Sequence, residues 1–180
     1  GASIAYFLGG EASVLMLERE SQPGYHSTGR SAAMFMESYG PPGVRELTRA
    51  SRAFLERPPA GFAEAPLIRP RGALYFGAAH QQAELRQMLE TLQGEGCESL
   101  WLDAAATRAQ VPVLLPEAAA FGVLDVSATD VDVHALHQGY LRGARSRGTQ
   151  LQCDAGVSAC SLSSGSSFGL EASPLPTAYS

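Results

Sequence analysis

The sequence has little of three features that define common protein classes: paired cysteines, clustered basic residues and long apolar runs. Cys97, Cys153 and Cys160 lie far apart and form no CxxC pair, so neither a zinc site nor a disulfide framework is indicated. The net charge is -5 and no block of Lys or Arg occurs, which argues against nucleic acid as a partner. The longest apolar stretches are shorter than the ~20 residues that cross a bilayer. These absences predict a protein of the reducing cytoplasm without a signal peptide or membrane span.

Hydrophobic periodicity predicts alternating helices and strands, the order typical of an α/β fold. Helices are predicted over residues 2–8, 43–56, 80–96, 103–112 and 130–148. Strands are predicted over residues 13–18, 72–78, 98–103, 121–127 and 149–160. The first strand is apolar without alternation, as in a parallel strand that is covered on both faces. From Ser161 the chain is rich in Ser, Gly and Pro, the composition of a linker or unfolded tail.

The last predicted helix is the clearest in the sequence. Asp130 or Asp132 can cap its start, and arginines near its end favour the helix dipole. Its buried stripe is predicted to contain Val133, Leu136, Tyr140, Leu141 and Ala144.

The first strand ends on an acidic residue, Glu18, and follows a helix that begins at Gly1. This is the second half of a dinucleotide-binding βαβ unit, in which an acid at the strand tip hydrogen-bonds the adenosine ribose. If Gly1 is the last glycine of a GxGxxG turn, the first lies about 22 residues before Glu18, close to the expected spacing. The pattern alone fits an ordinary capped strand equally well.

The segment GYHSTGRSAAMF, residues 24–35, begins six residues after that acid. Ser27, Thr28, Gly29, Arg30 and Ser31 offer hydroxyls, a flexible backbone and a guanidinium where a phosphate contact is useful. Ala32 and Ala33 then allow a helix to approach a flat ligand closely. A polar turn with a helix cap is the alternative interpretation.

The sequence resembles the FAD-dependent amino-acid and amine oxidoreductases of the D-amino acid oxidase type, which include glycine oxidase, sarcosine oxidase and D-amino-acid dehydrogenase. The resemblance rests on GASIAYFL, VLMLERE, HSTGRSAAMF, RGALYFG and VDVHALHQGYLRGARSRGTQL, and it covers roughly residues 1–158. It implies a partial Rossmann-like FAD-binding domain with the start of a mixed-sheet substrate domain. The implied ranges are 1–59 for the first part of the FAD domain, 60–125 for the start of the substrate domain, 126–160 for the return to the FAD domain and 161–180 for a low-complexity tail.

The resemblance also implies residues that bind the cofactor. Gly1 resembles the final fingerprint glycine and Glu18 the ribose-binding acid, with Arg19 beside it. Residues Ser27 to Ala32 resemble the loop and helix start that face the pyrophosphate and flavin, and Val157 resembles the position whose backbone meets the adenine. No catalytic residue is implied.

The family's reaction transfers a hydride from the carbon beside an amine nitrogen to the flavin, giving an imine that water hydrolyses. The resemblance therefore implies a small amine or amino-acid substrate and oxygen or a quinone as electron acceptor. Both ends depart from the family pattern, and we expect a fragment that is inactive alone. The alternatives are an NAD-dependent dehydrogenase, since Glu18 serves either dinucleotide, and a non-catalytic remnant or interaction module.

Other polar residues have weaker patterns. His134 and His137 stand three apart on the last predicted helix, but no third ligand has a recognisable spacing, so solvated histidines are expected rather than a metal site. His26 is interpreted as a turn histidine, with contact to a phosphate or to the flavin edge as the alternative. Tyr39, Tyr75 and Arg45 are assigned no catalytic role.

Overall fold

A computed structural model describes residues 1–163 and 167–174. Its α-helices are α1 Ala2–Leu8, α2 Pro42–Glu56, α3 Gln82–Gly94, α4 Ala104–Gln110 and α5 Val133–Ser146, with a short 3-10 helix at Ala79–Gln81. Its strands are β1 Leu15–Leu17, β2 Met34–Phe35, β3 Ile68–Pro70, β4 Ala73–Gly77, β5 Ser99–Asp103, β6 Phe121–Asp125, β7 Thr129–Val131, β8 Gln150–Gln152, β9 Ala155–Ser163 and β10 Ser167–Pro174. The five predicted helices are confirmed. Among the described residues, no helix has both the length and the apolar character that crossing a membrane requires.

The chain divides into two compact units. Unit 1 contains Gly1–Ala32, Pro59–Ala65 and Val133–Ser180, and unit 2 contains Ala33–Pro58 and Pro66–Asp132. The first boundary of these units therefore falls before α2, whereas the range 1–59 implied by the resemblance includes it.

Unit 1 contains a parallel pair of strands. β1 pairs with β8, with Leu15 opposite Gln150 and Leu17 opposite Gln152, and α5 leads into β8. The parallel direction predicted for the first strand is confirmed. Its predicted burial on both faces is wrong, because the Leu15 side chain is 54% exposed.

Glycines in α5 allow aromatic rings to pack directly on the helix backbone of unit 1. A Cβ atom added to Gly143 would lie 2.3 Å from Cε2 of Tyr6, and one added to Gly139 would lie 2.4 Å from Cε1 of Phe62. The two rings contact each other edge to face, with centroids 5.6 Å apart, and Tyr140 packs edge to face on both. This cluster joins α1, α5 and the 59–65 segment.

The predicted stripe of α5 is confirmed in part. Leu141 and Ala144 are buried, whereas the other three positions are half-buried. Asp130 as a helix cap is wrong, because this residue lies in β7 and its carboxylate accepts a hydrogen bond from Arg71 at 2.6 Å.

Unit 2 contains two antiparallel sheets, with strand orders β2-β7-β3 and β4-β6-β5. One face of the second sheet packs against α3. The core of the unit consists of Leu85, Leu89 and Leu92 of α3 with Cys97 and Val123. The β4-β6-β5 sheet and α3 come from segments that were predicted from the sequence, whereas the β2-β7-β3 sheet does not.

The tail predicted from Ser161 is wrong where the structure describes it. Residues 155–163 and 167–174 form the antiparallel hairpin of β9 and β10. Strand pairing uses backbone groups that every residue except Pro supplies, so a Ser-rich composition does not prevent it. Residues 164–166 and 175–180 of the predicted tail lie outside the described residues.

The contact between Gly143 and Tyr6 leads to a stability prediction. Gly143→Ala gains helix propensity of up to about 1 kcal/mol but forces a methyl group into the Tyr6 ring, an overpacking that costs about 1–3 kcal/mol. We expect a lower melting temperature by far-UV circular dichroism. The control is Gly94→Ala in α3, where an added Cβ meets nothing within 4 Å. Equal melting temperatures for the two variants would contradict the packing described here.

Candidate functional site

The backbone of Glu18 is held by the segment that contains β8 and the start of β9. Its N–H donates to the carbonyl of Gln152 at 2.9 Å, and its carbonyl accepts from the N–H of Ala155 at 2.9 Å. The N–H of Asp154 likewise donates to the carbonyl of Glu20 at 3.1 Å. The acid therefore lies at the carboxyl end of a parallel strand pair, where open α/β sheets bind ligands.

The Glu18 side chain is half-buried and partly engaged. Its Oε1 accepts a hydrogen bond from the N–H of Glu20 at 3.1 Å, which fixes the carboxylate over the start of the following loop. Within the described part of the chain, no donor contacts Oε2. A ligand hydroxyl can use this second oxygen.

The loop after Glu18 closes into a tight turn over residues 24–29. The N–H of Gly29 donates to the carbonyl of Gly24 at 2.7 Å, and the N–H of Arg30 donates to the carbonyl of His26 at 3.0 Å. A Cβ atom on Gly29 would lie 2.6 Å from the Gly24 oxygen, so no side chain fits at position 29. The sequence predicts Gly29 only as a source of backbone flexibility. The structure shows in addition that glycine is required at this position for steric reasons.

The turn carries polar groups without internal partners. In the described residues, neither the backbone N–H groups nor the hydroxyls of Ser27 and Thr28 donate a hydrogen bond. The Arg30 guanidinium lies 5.4 Å from the Tyr25 ring centroid and has no carboxylate within ion-pair distance in that part of the chain. N–H groups without an internal partner and a guanidinium without a carboxylate partner suit a phosphate group.

The other predicted site residues of unit 1 have different surroundings. Gly1 precedes α1, where an added Cβ would lie 3.8 Å from Met16, an ordinary contact, so packing does not require glycine. Arg19 is exposed and pairs with Glu20 at 3.0 Å. Val157 lies in β9, two residues after the Ala155 that hydrogen-bonds Glu18, and its side chain is 51% exposed.

The predicted helix start at Ala32 is wrong. The N–H of Ser31 reaches the carbonyl of Thr28 at 3.5 Å, and no helix follows. Ala33 instead has a φ of 56°, in the left-handed region, and the chain enters β2 at Met34. The left-handed conformation of Ala33 could not be predicted from the two alanines, because a change in backbone direction at a single residue produces no periodic sequence pattern.

His26 contributes to a surface cluster. Its Nε2 lies 2.8 Å from Oε1 of Glu20, which also contacts Arg19. The hydrogen bonds from His26 and then Arg19 lower the pKa of Glu20. His26 therefore behaves as a turn histidine in this structure.

His137 packs against the turn from the α5 side. A Cβ atom on Gly24, whose φ is 88°, would lie 3.0 Å from Cε1 and 3.1 Å from Nδ1 of the imidazole. Burial lowers the pKa of His137; His134 and the Gly1 amino group act in the same direction, and Glu18 opposes them. In the described residues, no group of three or more potential ligands could hold a metal.

Tyr39, Tyr75 and Arg45 of unit 2 have different surroundings. Tyr39 is exposed, and Arg45 pairs with Glu95 at 2.7 Å. Tyr75 lines a cavity of about 320 Å³ beside α3, and burial is the main cause of its raised pKa.

Comparison with known proteins identifies the class. Residues 1–173 match the FAD dependent oxidoreductase family. Because the match covers nearly the whole chain, the protein belongs to this family, whose cofactor is FAD.

Solved structures have the same fold. The chain is similar to glycine oxidase from Geobacillus kaustophilus, with a TM-score of 0.77, 19% identity, and coverage of 96% of this chain and 48% of that chain. It is similar to L-alpha-glycerophosphate oxidase from Mycoplasma pneumoniae, solved with FAD bound, with a TM-score of 0.79, 12% identity, and coverage of 95% and 46%. It is also similar to L-amino acid deaminase from Proteus vulgaris, with a TM-score of 0.70, 12% identity, and coverage of 92% and 40%. The chain thus spans roughly half the length of these proteins.

The burial of His137 leads to a prediction about pH. Since its folded-state pKa lies below the ordinary 6.5, the unfolded chain takes up the proton more readily. Its contribution to stability is present above about pH 6.5 and is lost as the pH falls through the folded-state pKa. We expect the free energy of unfolding of the wild type, relative to His137→Gln, to decrease between about pH 7.5 and 5. The control is the exposed His80→Gln; a difference for His137→Gln that is independent of pH would contradict this prediction.

Proposed function

We propose that this chain is part of a longer FAD-dependent oxidoreductase that oxidises the C–N bond of a small amino acid or secondary amine. The observation that carries the proposal is the half-buried Glu18 at the end of a parallel strand, with a turn of unused donors that begins six residues later, in a chain of this family. The fragment alone is proposed to be inactive.

The cofactor fits the donor set of unit 1. Glu18 would accept hydrogen bonds from the ribose hydroxyls of the adenosine, and the N–H and hydroxyl groups of Ser27 and Thr28 would donate to the pyrophosphate. The Arg30 guanidinium would offset its charge. Arg19, Ser31 and Ala32 are proposed to flank the ligand, Gly1 to allow its close approach and the Val157 backbone to meet the adenine.

When bound, FAD supplies the capacity to accept a hydride equivalent from the substrate. The residues described above hold and orient the cofactor, and none of them is proposed to transfer a proton. The substrate contacts are proposed to come largely from residues outside this chain.

The names of similar structures support the substrate class. Glycine oxidase and L-amino acid deaminase are named for amino-acid substrates, whereas a structure of the same fold is named for L-alpha-glycerophosphate. Oxygen or a quinone is proposed as the electron acceptor, and the cytoplasm as the location. NAD as the redox partner is the competing hypothesis that the experiment must exclude.

Anaerobic reduction tests the reaction directly. We expect glycine, sarcosine or another small amino acid, mixed with the FAD-loaded full-length protein, to bleach the visible flavin absorbance, because hydride transfer reduces the ring. Glycerol 3-phosphate and NADH are the comparison reductants. Rapid bleaching by either of these, with none by a broad amine and amino-acid panel, would contradict the proposed substrate class.

A further inference from the structure

Two backbone hydrogen bonds close the turn over residues 24–29, from Gly29 to Gly24 at 2.7 Å and from Arg30 to His26 at 3.0 Å. The first of them involves Gly24, which adopts a φ of 88° that L side chains rarely adopt. Short turns with exposed polar groups open readily unless another element holds them. The position of Gly24 is therefore decisive for the position of Ser27 and Thr28.

The imidazole of His137 supplies that restraint. Three of its ring atoms lie within 3.0–3.7 Å of the place where a Cβ of Gly24 would be, so the edge of the ring fills the space beside the glycine. His137 is half-buried on α5, a helix fixed to α1 through Gly143 and Tyr6. The ring thus connects α5 to Gly24, whose carbonyl accepts one of the hydrogen bonds that close the turn.

We propose that His137 is a positioning residue: it holds the 24–29 turn in the conformation that presents the Ser27 and Thr28 donors before the cofactor binds. This inference rests on the proposed function, because it assigns the purpose of the ordered turn to FAD binding. A turn that is preformed does not have to be ordered at the expense of binding free energy, so the apparent affinity for FAD is higher.

The first test measures the turn without cofactor. In the FAD-free full-length protein, His137→Ala should increase the amide exchange of residues 24–29 about threefold or more, because opening becomes easier. His134→Ala is the matched control, since His134 is exposed on the same helix, one turn away. Equal exchange in the two variants would overturn the proposal.

Combining Gly24→Ala with His137→Ala tests the contact between these two residues. Gly24→Ala should increase the same exchange, through both its positive φ and the collision with the imidazole. In the His137→Ala background the collision is absent, so the added effect of Gly24→Ala should be smaller. Fully additive effects would contradict a direct contact between the two residues.

The affinity for FAD separates positioning from structure alone. If His137→Ala reduces the population of the ordered turn to about a fifth, the dissociation constant for FAD should rise about fivefold, with no rise for His134→Ala. Faster exchange with unchanged FAD affinity would overturn the positioning role. Glu18→Ala is titrated alongside. If FAD does not bind at the proposed site, neither Glu18→Ala nor His137→Ala should change the affinity. If only the positioning role is wrong, Glu18→Ala should weaken FAD binding and His137→Ala should not.

Discussion

The site depends on the backbone hydrogen bonds that extend the β1–β8 pairing past the end of β1. These bonds hold Glu18 through both its N–H and its carbonyl, and the next one fixes Glu20. The carboxylate is therefore attached to the sheet rather than to a mobile loop, and the following turn starts from a defined point. Such attachment is what allows a side chain to recognise a ligand with little loss of entropy on binding.

A second level of support comes from close packing on α5. Two glycines on this helix accept the rings of Tyr6 and Phe62, and His137 on the same helix contacts Gly24. The helix thus links the aromatic cluster of unit 1 to the turn that follows the acid. Changes at positions far from Glu18 in sequence can in this way alter the groups offered to a cofactor.

The five helices and strands β4, β5 and β6 could be predicted from their apolar residues. Strand β10 was missed although it has eight residues, because its Ser- and Gly-rich sequence shows no clear period. The sheet of β2, β7 and β3 was not predicted either, since strands of two or three residues are too short to show a period. Glu18 and the Ser27–Arg30 turn were visible as an acid and a polar segment. The proposed role of His137 could not be predicted from the sequence. Its partner Gly24 is more than a hundred residues away, and the contact requires a backbone conformation that sequence spacing does not encode.

The most direct test of the central claim is the affinity of the full-length protein for FAD when Glu18 is replaced by Ala. Each charge-assisted hydrogen bond contributes about 1.5–3 kcal/mol at most, so losing the contacts to the ribose should raise the dissociation constant about tenfold or more. Glu20→Ala is the matched control, because that acid pairs with Arg19 and His26 on the surface. Unchanged affinity in Glu18→Ala, or an equal loss in both variants, would show that Glu18 only ends a strand.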